Sequence, residues 1–311
     1  MDVRQQDEAQ RQRVLDAYHV VDSLPEQAYD DIVRVAAAVC ETPIALVSLI
    51  DRDRQWFKAR IGVEDTQTER DVAVCDHAIR QPERLMEIAD LSSDPRFADN
   101  PFVAGDFAAR FYAGMPLVTP EGAPIGTVCV LDHKPRRLTE AQRDALRALA
   151  RITISMLENR SRTRELERTA AVQPAVASAP APADARGYTL AILELQDFAG
   201  VVGRLGERAT EKALAQLDQA LELCLQGDPD DIVNRATGSP EFTVIFHGHD
   251  NAETVEKLRD CLKRHRDETG LTVLMGAAEA ASPDESLQRV FARADQALSA
   301  AKDESSPASQ N

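Results

Sequence analysis

No two of the five cysteines (Cys40, Cys75, Cys129, Cys224 and Cys261) stand at C-x-x-C spacing, and their number is odd. Neither a zinc site nor a disulfide framework is indicated, and most of these thiols read as small buried hydrophobes. No apolar run approaches the roughly 20 residues that span a bilayer. The segment Met1 to Glu8 lacks the apolar core of a secretory signal, so a cytoplasmic chain without a membrane partner is expected. Basic charge is scarce as well. Lysine and arginine number 36 against 52 acidic residues, a net charge of −16 with no visible basic patch, which disfavours nucleic-acid binding. What remains is an ordinary apolar content of 43% in 311 residues, enough for two domains that each bury a core.

One boundary is legible. Residues 169–186 are rich in Ala, Pro and Ser without periodicity and read as a flexible linker. The expected order is a first module over 1–138, a signalling helix over 139–168, the linker over 169–186, a second module over 187–304 and a disordered tail over 305–311. The first module opens with helical patterns around 7–20 and 25–41. In the second of these, Ala28, Ile32, Val35, Ala36 and Val39 share one face. Strands are expected over Ile44–Ile50, Gln55–Ile61, Phe111–Val118 and Ile125–Asp132, the last two joined as a hairpin by Pro120-Glu121-Gly122. Thr139 with Gln142 makes a capping box that opens the long helix. Ala145, Leu149, Ile152, Met156, Asn159, Thr163 and Leu166 follow at heptad steps; the helix either packs on its own domain or forms a parallel two-helix stalk.

The words Asp53-Arg54-Gln55-Trp56-Phe57-Lys58-Ala59, Cys75-Asp76-His77-Ala78-Ile79, Asp94 to Pro101, Arg110 to Gly114 and Gly126 to Val130 resemble the GAF domains found before bacterial histidine kinases and diguanylate cyclases. The resemblance covers roughly residues 14–160 and implies an antiparallel sheet flanked by helices. It also implies a sensing or dimerising role, with a pocket between the sheet and the irregular segment 64–110. Trp56, Cys75, His77, Asp90, Arg110, Tyr112 and Cys129 are the candidates to line it, since small-molecule pockets combine aromatic walls with a few convergent polar groups. The competing reading places Trp56 and Tyr112 in the core and makes His77 a structural histidine. Asp76 interrupts the adjacent Cys-His used for bilin attachment, and a lone His77 is weak ground for a haem. Thiol chemistry at Cys75 or Cys129 would need a low-pKa thiolate with a resolving partner. Their flanking words do not resemble the free-methionine sulfoxide reductases that use one. No cofactor is expected.

The second module resembles a GGDEF domain, the diguanylate cyclase module of nucleotidyl-cyclase-like α/β fold. Leu190 to Phe198 matches its first strand and D-x-D-x-F-K word, Leu271 to Ala278 its central strand, and Arg293 to Lys302 its closing helix. The resemblance puts Glu194 at the first metal-binding aspartate, Gln196 at the second acid, Ala199 at the lysine and Val202 at the guanine-reading asparagine. Glu211 stands at the partner aspartate and Lys302 at a phosphate-contacting position. Asp197, one place out of phase, would point to the opposite face if it continued the strand. The signature turn is Gly238-Ser239-Pro240-Glu241-Phe242, in which Pro240 replaces the metal-binding acid and can neither coordinate a cation nor donate an N–H. The turn is expected to be one residue longer than usual, and residues 227–231 supply no arginine for the family's R-x-x-D product site. With Gln196 and Pro240 in place, Glu194 and Glu241 make a poor magnesium site, and no metal is expected.

The resemblances together imply an α+β and α/β two-domain signalling regulator, with a GAF sensor joined to a GGDEF domain that has lost catalysis. Glu194, Glu211, Glu241 and Lys302 are its vestigial nucleotide site, and no residue is expected to be catalytic. A homodimer, other signalling proteins and a small-molecule GAF ligand are the expected partners. The competing functions are a receptor for GTP or cyclic di-GMP, or a weakly active cyclase.

Overall fold

Every residue of the strand Ile44–Ile50 is buried, and its alternate side chains enter two different cores. The computed structural model describes residues 3–177, 187–225, 231–235, 239–247, 251–282 and 285–305. The chain divides into two compact units, Met1–Ser161 and Arg162–Ser309, each taken by itself below.

The first unit runs α1 (Val3–Ala17), α2 (Gln27–Cys40), β1 (Ile44–Ile50), β2 (Arg54–Ile61), β3 (Gln67–Glu69), α3 (Val74–Ile79), β4 (Met86–Ile88), α4 (Pro101–Ala104), β5 (Phe111–Val118), β6 (Pro124–Asp132) and the start of α5 (Glu140–Ala177). The strands form one antiparallel sheet in the order β3-β2-β1-β6-β5-β4. Because side chains alternate across a strand, Ala45, Val47 and Leu49 join Ala113, Val128 and Val130 beneath α1, α2 and α5. Ile44, Leu46 and Ile50 join Tyr112 and Cys129 on the opposite face, covered by α3, α4 and the irregular segment between the strands.

The expected local signals are present. Thr139 and Gln142 exchange both capping-box bonds, at 2.9 and 3.3 Å, just ahead of α5. Gly122, at φ +85°, closes the β5–β6 hairpin, a left-handed position that a side chain would strain. Helix α5 buries Leu146, Leu149, Ala150, Thr153 and Leu157, a face rotated from the expected heptad seam. Ile152 and Leu166 of that seam are exposed. The helix also continues to Ala177, into the segment expected as a linker. Alanine has the highest helix propensity, so an alanine-rich stretch extends a helix that is already nucleated. Residues 178–186 of that segment lie outside the described residues, as does the tail beyond Ser305.

The second unit contains the end of α5, then β7 (Tyr188–Leu195), α6 (Phe198–Leu205), α7 (Glu207–Cys224), β8 (Ile232–Asn234), β9 (Glu241–His247), α8 (Asn251–Thr269), β10 (Val273–Glu279) and α9 (Leu287–Ser305). Its antiparallel sheet has the order β10-β7-β9-β8. Strand β7 ends at Leu195, so Asp197 does not face the far side of a strand as expected. It stands at φ +51° ahead of α6. Its carboxylate occupies the space a Cβ on Gly200 would need, which explains a glycine inside this short helix.

Candidate functional site

A cavity of about 250 Å³ opens between the sheet of the first unit and the segment that covers it. Strands β1 and β2 supply Ile44, Leu46 and Phe57; the covering segment supplies Val74, Phe102, Val103 and Phe107. Gln55, Thr68, Cys75 and Tyr112 are its polar or polarisable wall groups, and the exposed acids Glu64 and Asp65 also border it. Among the described residues no lysine, arginine or histidine lines it.

Of the seven pocket residues expected from the sequence, Cys75 and Tyr112 line the cavity. Cys129 sits against them in the same core, its Sγ 3.6 Å from that of Cys75. The Tyr112 hydroxyl donates to Cys75 Sγ at 3.3 Å, and a Cβ on Gly114 would collide with that hydroxyl. Trp56 is a correction: it lies on the other face of the sheet, in the core beneath the helices, while its neighbour Phe57 reaches the cavity. His77 is outside as well, half-buried with its ring edge-on to Phe97 at 4.8 Å. Burial, then the Arg80 charge, holds the His77 imidazole below its ordinary value. Arg110 is a structural clamp, its Nη1 donating to the carbonyls of Val103 and Ala109 at 2.9 Å each. Asp90 caps the 3-10 turn Leu91–Ser93, accepting from the backbone N–H and the hydroxyl of Ser92. It borders a separate open polar groove with Glu87, Asp94, Arg96 and Arg143.

In the second unit, antiparallel pairing of β7 with β9 sets Glu194 opposite Glu241. Lys302 on α9 lies 2.6 Å from Glu194. Arg168 holds both oxygens of Glu241, with Nε 2.5 Å from Oε1 and Nη2 on Oε2, and Arg164 approaches the same Oε2 at 3.3 Å. Burial works against the Arg168 charge, but Glu241, Asp295 and Glu194 outweigh it and raise its affinity for the proton. The backbone of the signature turn is tied in too: Pro240 O accepts from Leu195 N–H at 2.9 Å. Gln196 turns its amide onto the Glu194 carbonyl at 3.2 Å. Glu211 on α7 is held by Arg235, at 2.5 Å, and that guanidinium lies 5.5 Å over the Phe242 ring. All four expected vestigial residues thus sit in ion pairs, Glu194 with Lys302 and Glu211 and Glu241 with arginines. Sequence reading missed Arg164, Arg168 and Arg235, which lie outside the motif words. Gly238, the extra residue of the turn and most of the 227–231 stretch lie outside the described residues.

Residues 24–153 match the family profile described as GAF domain, and residues 153–307 the one described as diguanylate cyclase, GGDEF domain. A cyclic di-GMP phosphodiesterase of Pseudomonas aeruginosa is 39% identical over 153 residues, a match covering 49% of this chain and 26% of that protein. The chain therefore spans about a quarter of that relative's length. Among solved structures, the GAF domain from Acinetobacter phosphoenolpyruvate-protein phosphotransferase aligns with 17% identity, covering 51% of this chain and 95% of that one, at a TM-score of 0.38. The GGDEF domain of DgcB from Caulobacter crescentus, in complex with c-di-GMP, aligns with 23% identity over 47% of this chain and 84% of that one, at 0.35. No helix among the described residues is long and apolar enough to cross a membrane. The chain belongs to the proteins that join a GAF domain, here residues 24–153, to a GGDEF domain, here residues 153–307.

Proposed function

We propose that this cyclic di-GMP signalling protein is a regulator that makes no cyclic di-GMP, with a GAF cavity for input and a GGDEF domain used for contacts. The observation that carries the reading is the pairing of Glu194 with Lys302 and of Glu241 with Arg168. Cyclisation of GTP needs divalent cations clustered between carboxylates, to polarise the triphosphate and acidify the attacking hydroxyl. Here fixed protein cations neutralise the two acids that remain, while Gln196 and Pro240 supply none. This donor set does not suit magnesium, because a cation at that place would meet the charges of Arg168 and Lys302. Val202 removes the polar reading of the base, and the one acid left for that role, Glu211, is occupied by Arg235.

The input would act on association. Val35 and Val39 on α2 and Ile152 on α5 are apolar and 41–49% exposed, and Gln142 on α5 donates to the Val39 carbonyl at 3.0 Å, which brings the two helices together. A second copy of the chain covering this face gives the expected homodimer. The deciding experiment incubates the full chain with GTP and magnesium and measures cyclic di-GMP by mass spectrometry. No product is expected. Product formation that is lost in Glu194→Ala would overturn the reading.

A further inference from the structure

Cys75 and Cys129 stand 54 positions apart in sequence, one on α3 and one on β6, yet their sulfurs lie 3.6 Å apart. Both are buried, and Cys75 borders the cavity. The Cys75 sulfur is also a hydrogen-bond acceptor for the Tyr112 hydroxyl at 3.3 Å and the Gln55 amide at 3.5 Å. Close behind, Ser48 and Thr127 face each other at 3.2 Å across β1 and β6. A sulfur surrounded by donors, with a second thiol in contact and a cavity in front of it, has the parts of a nucleophile, a resolving group and an access path.

We propose that Cys75 and Cys129 form a peroxide-responsive dithiol at the base of the GAF cavity. In the first step the Cys75 sulfur attacks one oxygen of a hydroperoxide and the O–O bond breaks. Cys75 becomes a sulfenic acid, and the second oxygen leaves with a proton as water or an alcohol. In the second step the Cys129 sulfur attacks Cys75, its thiol proton leaves with the sulfenic hydroxyl as water, and the disulfide closes. Two electrons pass from the two sulfurs to the peroxide, and a dithiol reductant restores the starting state. The disulfide ties α3 to β6 and removes the acceptor that Tyr112 uses, so oxidation rewrites the polar end of the cavity.

The electrostatics agree with this division of roles. Burial opposes a thiolate at Cys75, but hydrogen bonds from Cys129, Ser48, Thr127 and Tyr112 outweigh it and hold Cys75 below the ordinary thiol value. The bond given to Cys75, then burial, keeps the proton on Cys129. Two of the other thiols differ. Burial pushes Cys40 up to about 11, and burial with Cys224 alongside pushes Cys261 up to about 12.

The test treats the reduced full chain with hydrogen peroxide, quenches by alkylation under denaturing conditions and maps the peptides by mass spectrometry. Expected is a chain alkylated at two fewer cysteines than the reduced control, a cross-linked peptide joining Cys75 to Cys129 that is about two mass units lighter than the two free peptides together, and reversal by dithiothreitol. Cys129→Ser should halt at a sulfenic acid on Cys75 that dimedone labels, and Cys75→Ser should slow oxidation of Cys129 at least about tenfold. Cys75 remaining fully alkylatable while Cys40, Cys224 or Cys261 oxidises would overturn the proposal. The wild-type map decides it even where a variant folds poorly.

Discussion

Arg168 and Glu241 are 73 positions apart, and Arg168 nonetheless holds both oxygens of the Glu241 carboxylate, which is 5% exposed. The pairing answers a problem set by the strands. Register places the acids Glu194 and Glu241 side by side, and two carboxylates in a buried place repel unless cations stand beside them. Lys302 and Arg168 supply those cations from the two helices α9 and α5.

Removing one partner of a buried ion pair costs more than removing both, because a lone buried charge is left behind. With Arg164 still 3.3 Å from Glu241, Arg168→Ala should destabilise the second unit by less than the roughly 3–5 kcal/mol of a fully unpaired buried charge, while Arg168→Met with Glu241→Leu should recover most of that loss. Hydrogen exchange of the β9 amides measures this directly. An Arg168→Ala protein that exchanges like the wild type would show that the pair contributes nothing. Neither variant should gain cyclase activity.

The lining of the GAF cavity selects against anions. Apolar walls, a few polar groups and bordering acids suit a neutral ring and disfavour a carboxylate. Indole should therefore raise the stability of the first unit, by about 1.4 kcal/mol at ten times its dissociation constant, and indole-3-carboxylate should not. Val103→Phe fills part of the space, at a cost of about 1–3 kcal/mol, and should abolish the indole effect. Hydrogen exchange of the β1 amides reads the stability of this unit without interference from indole, which shares the tryptophan chromophore. Equal stabilisation by both compounds would refute the charge argument.

Local signals carried most of the fold into the sequence. The capping box at Thr139, the hairpin at Gly122 and the strand Ile44–Ile50 each depend on residues within a few positions of one another. The misplacement of Trp56 has a different origin. Side chains alternate along β2, so Trp56 and Phe57 had to face opposite cores, and which one met the cavity depended on pairing with β1. A register shift at Val47/Ser48 in that pairing removes any simple count from the turn. The contacts that define the two sites are longer in range still. Cys75 with Cys129, Arg235 with Glu211 and Arg168 with Glu241 join residues 54, 24 and 73 positions apart, where no periodicity connects them. The extension of α5 to Ala177 was hidden by composition, because alanine with proline reads as coil while alanine alone favours helix.

An apolar stripe that covers itself with a second copy should be sensitive to charge. Ile152 is 49% exposed, so Ile152→Glu should leave the unfolding free energy within about 0.5 kcal/mol. The same substitution repeats by symmetry in a homodimer and puts like charges together across a parallel pair of helices. Sedimentation equilibrium should show weakened self-association, by at least tenfold if the charges meet (about 1.4 kcal/mol). An unchanged association constant would move the interface elsewhere.

Lys58 gives the first unit a pH response on the alkaline side. Its amino group is fully buried and donates to Glu26 at 2.6 Å, Ser23 at 2.8 Å and the Leu24 carbonyl at 2.8 Å, 5.0 Å from the Tyr29 ring centre. Burial pushes it down from 10.5 to about 8, against the pull of Glu26, and the charge of Arg160 adds to the depression. The unfolded chain keeps this proton up to its ordinary value, so between about pH 8 and 10.5 the unfolded state binds more protons than the native one. Stability contributed by Lys58 therefore rises with pH across that window and is flat below it. Lys58→Met removes the titration and should flatten the difference curve, with Glu26 still held by Arg160 at 3.0 Å. Urea unfolding followed at Trp56 from pH 7 to 10.5 measures the slope, and a wild-type curve parallel to that of Lys58→Met would mean the lysine titrates alike folded and unfolded.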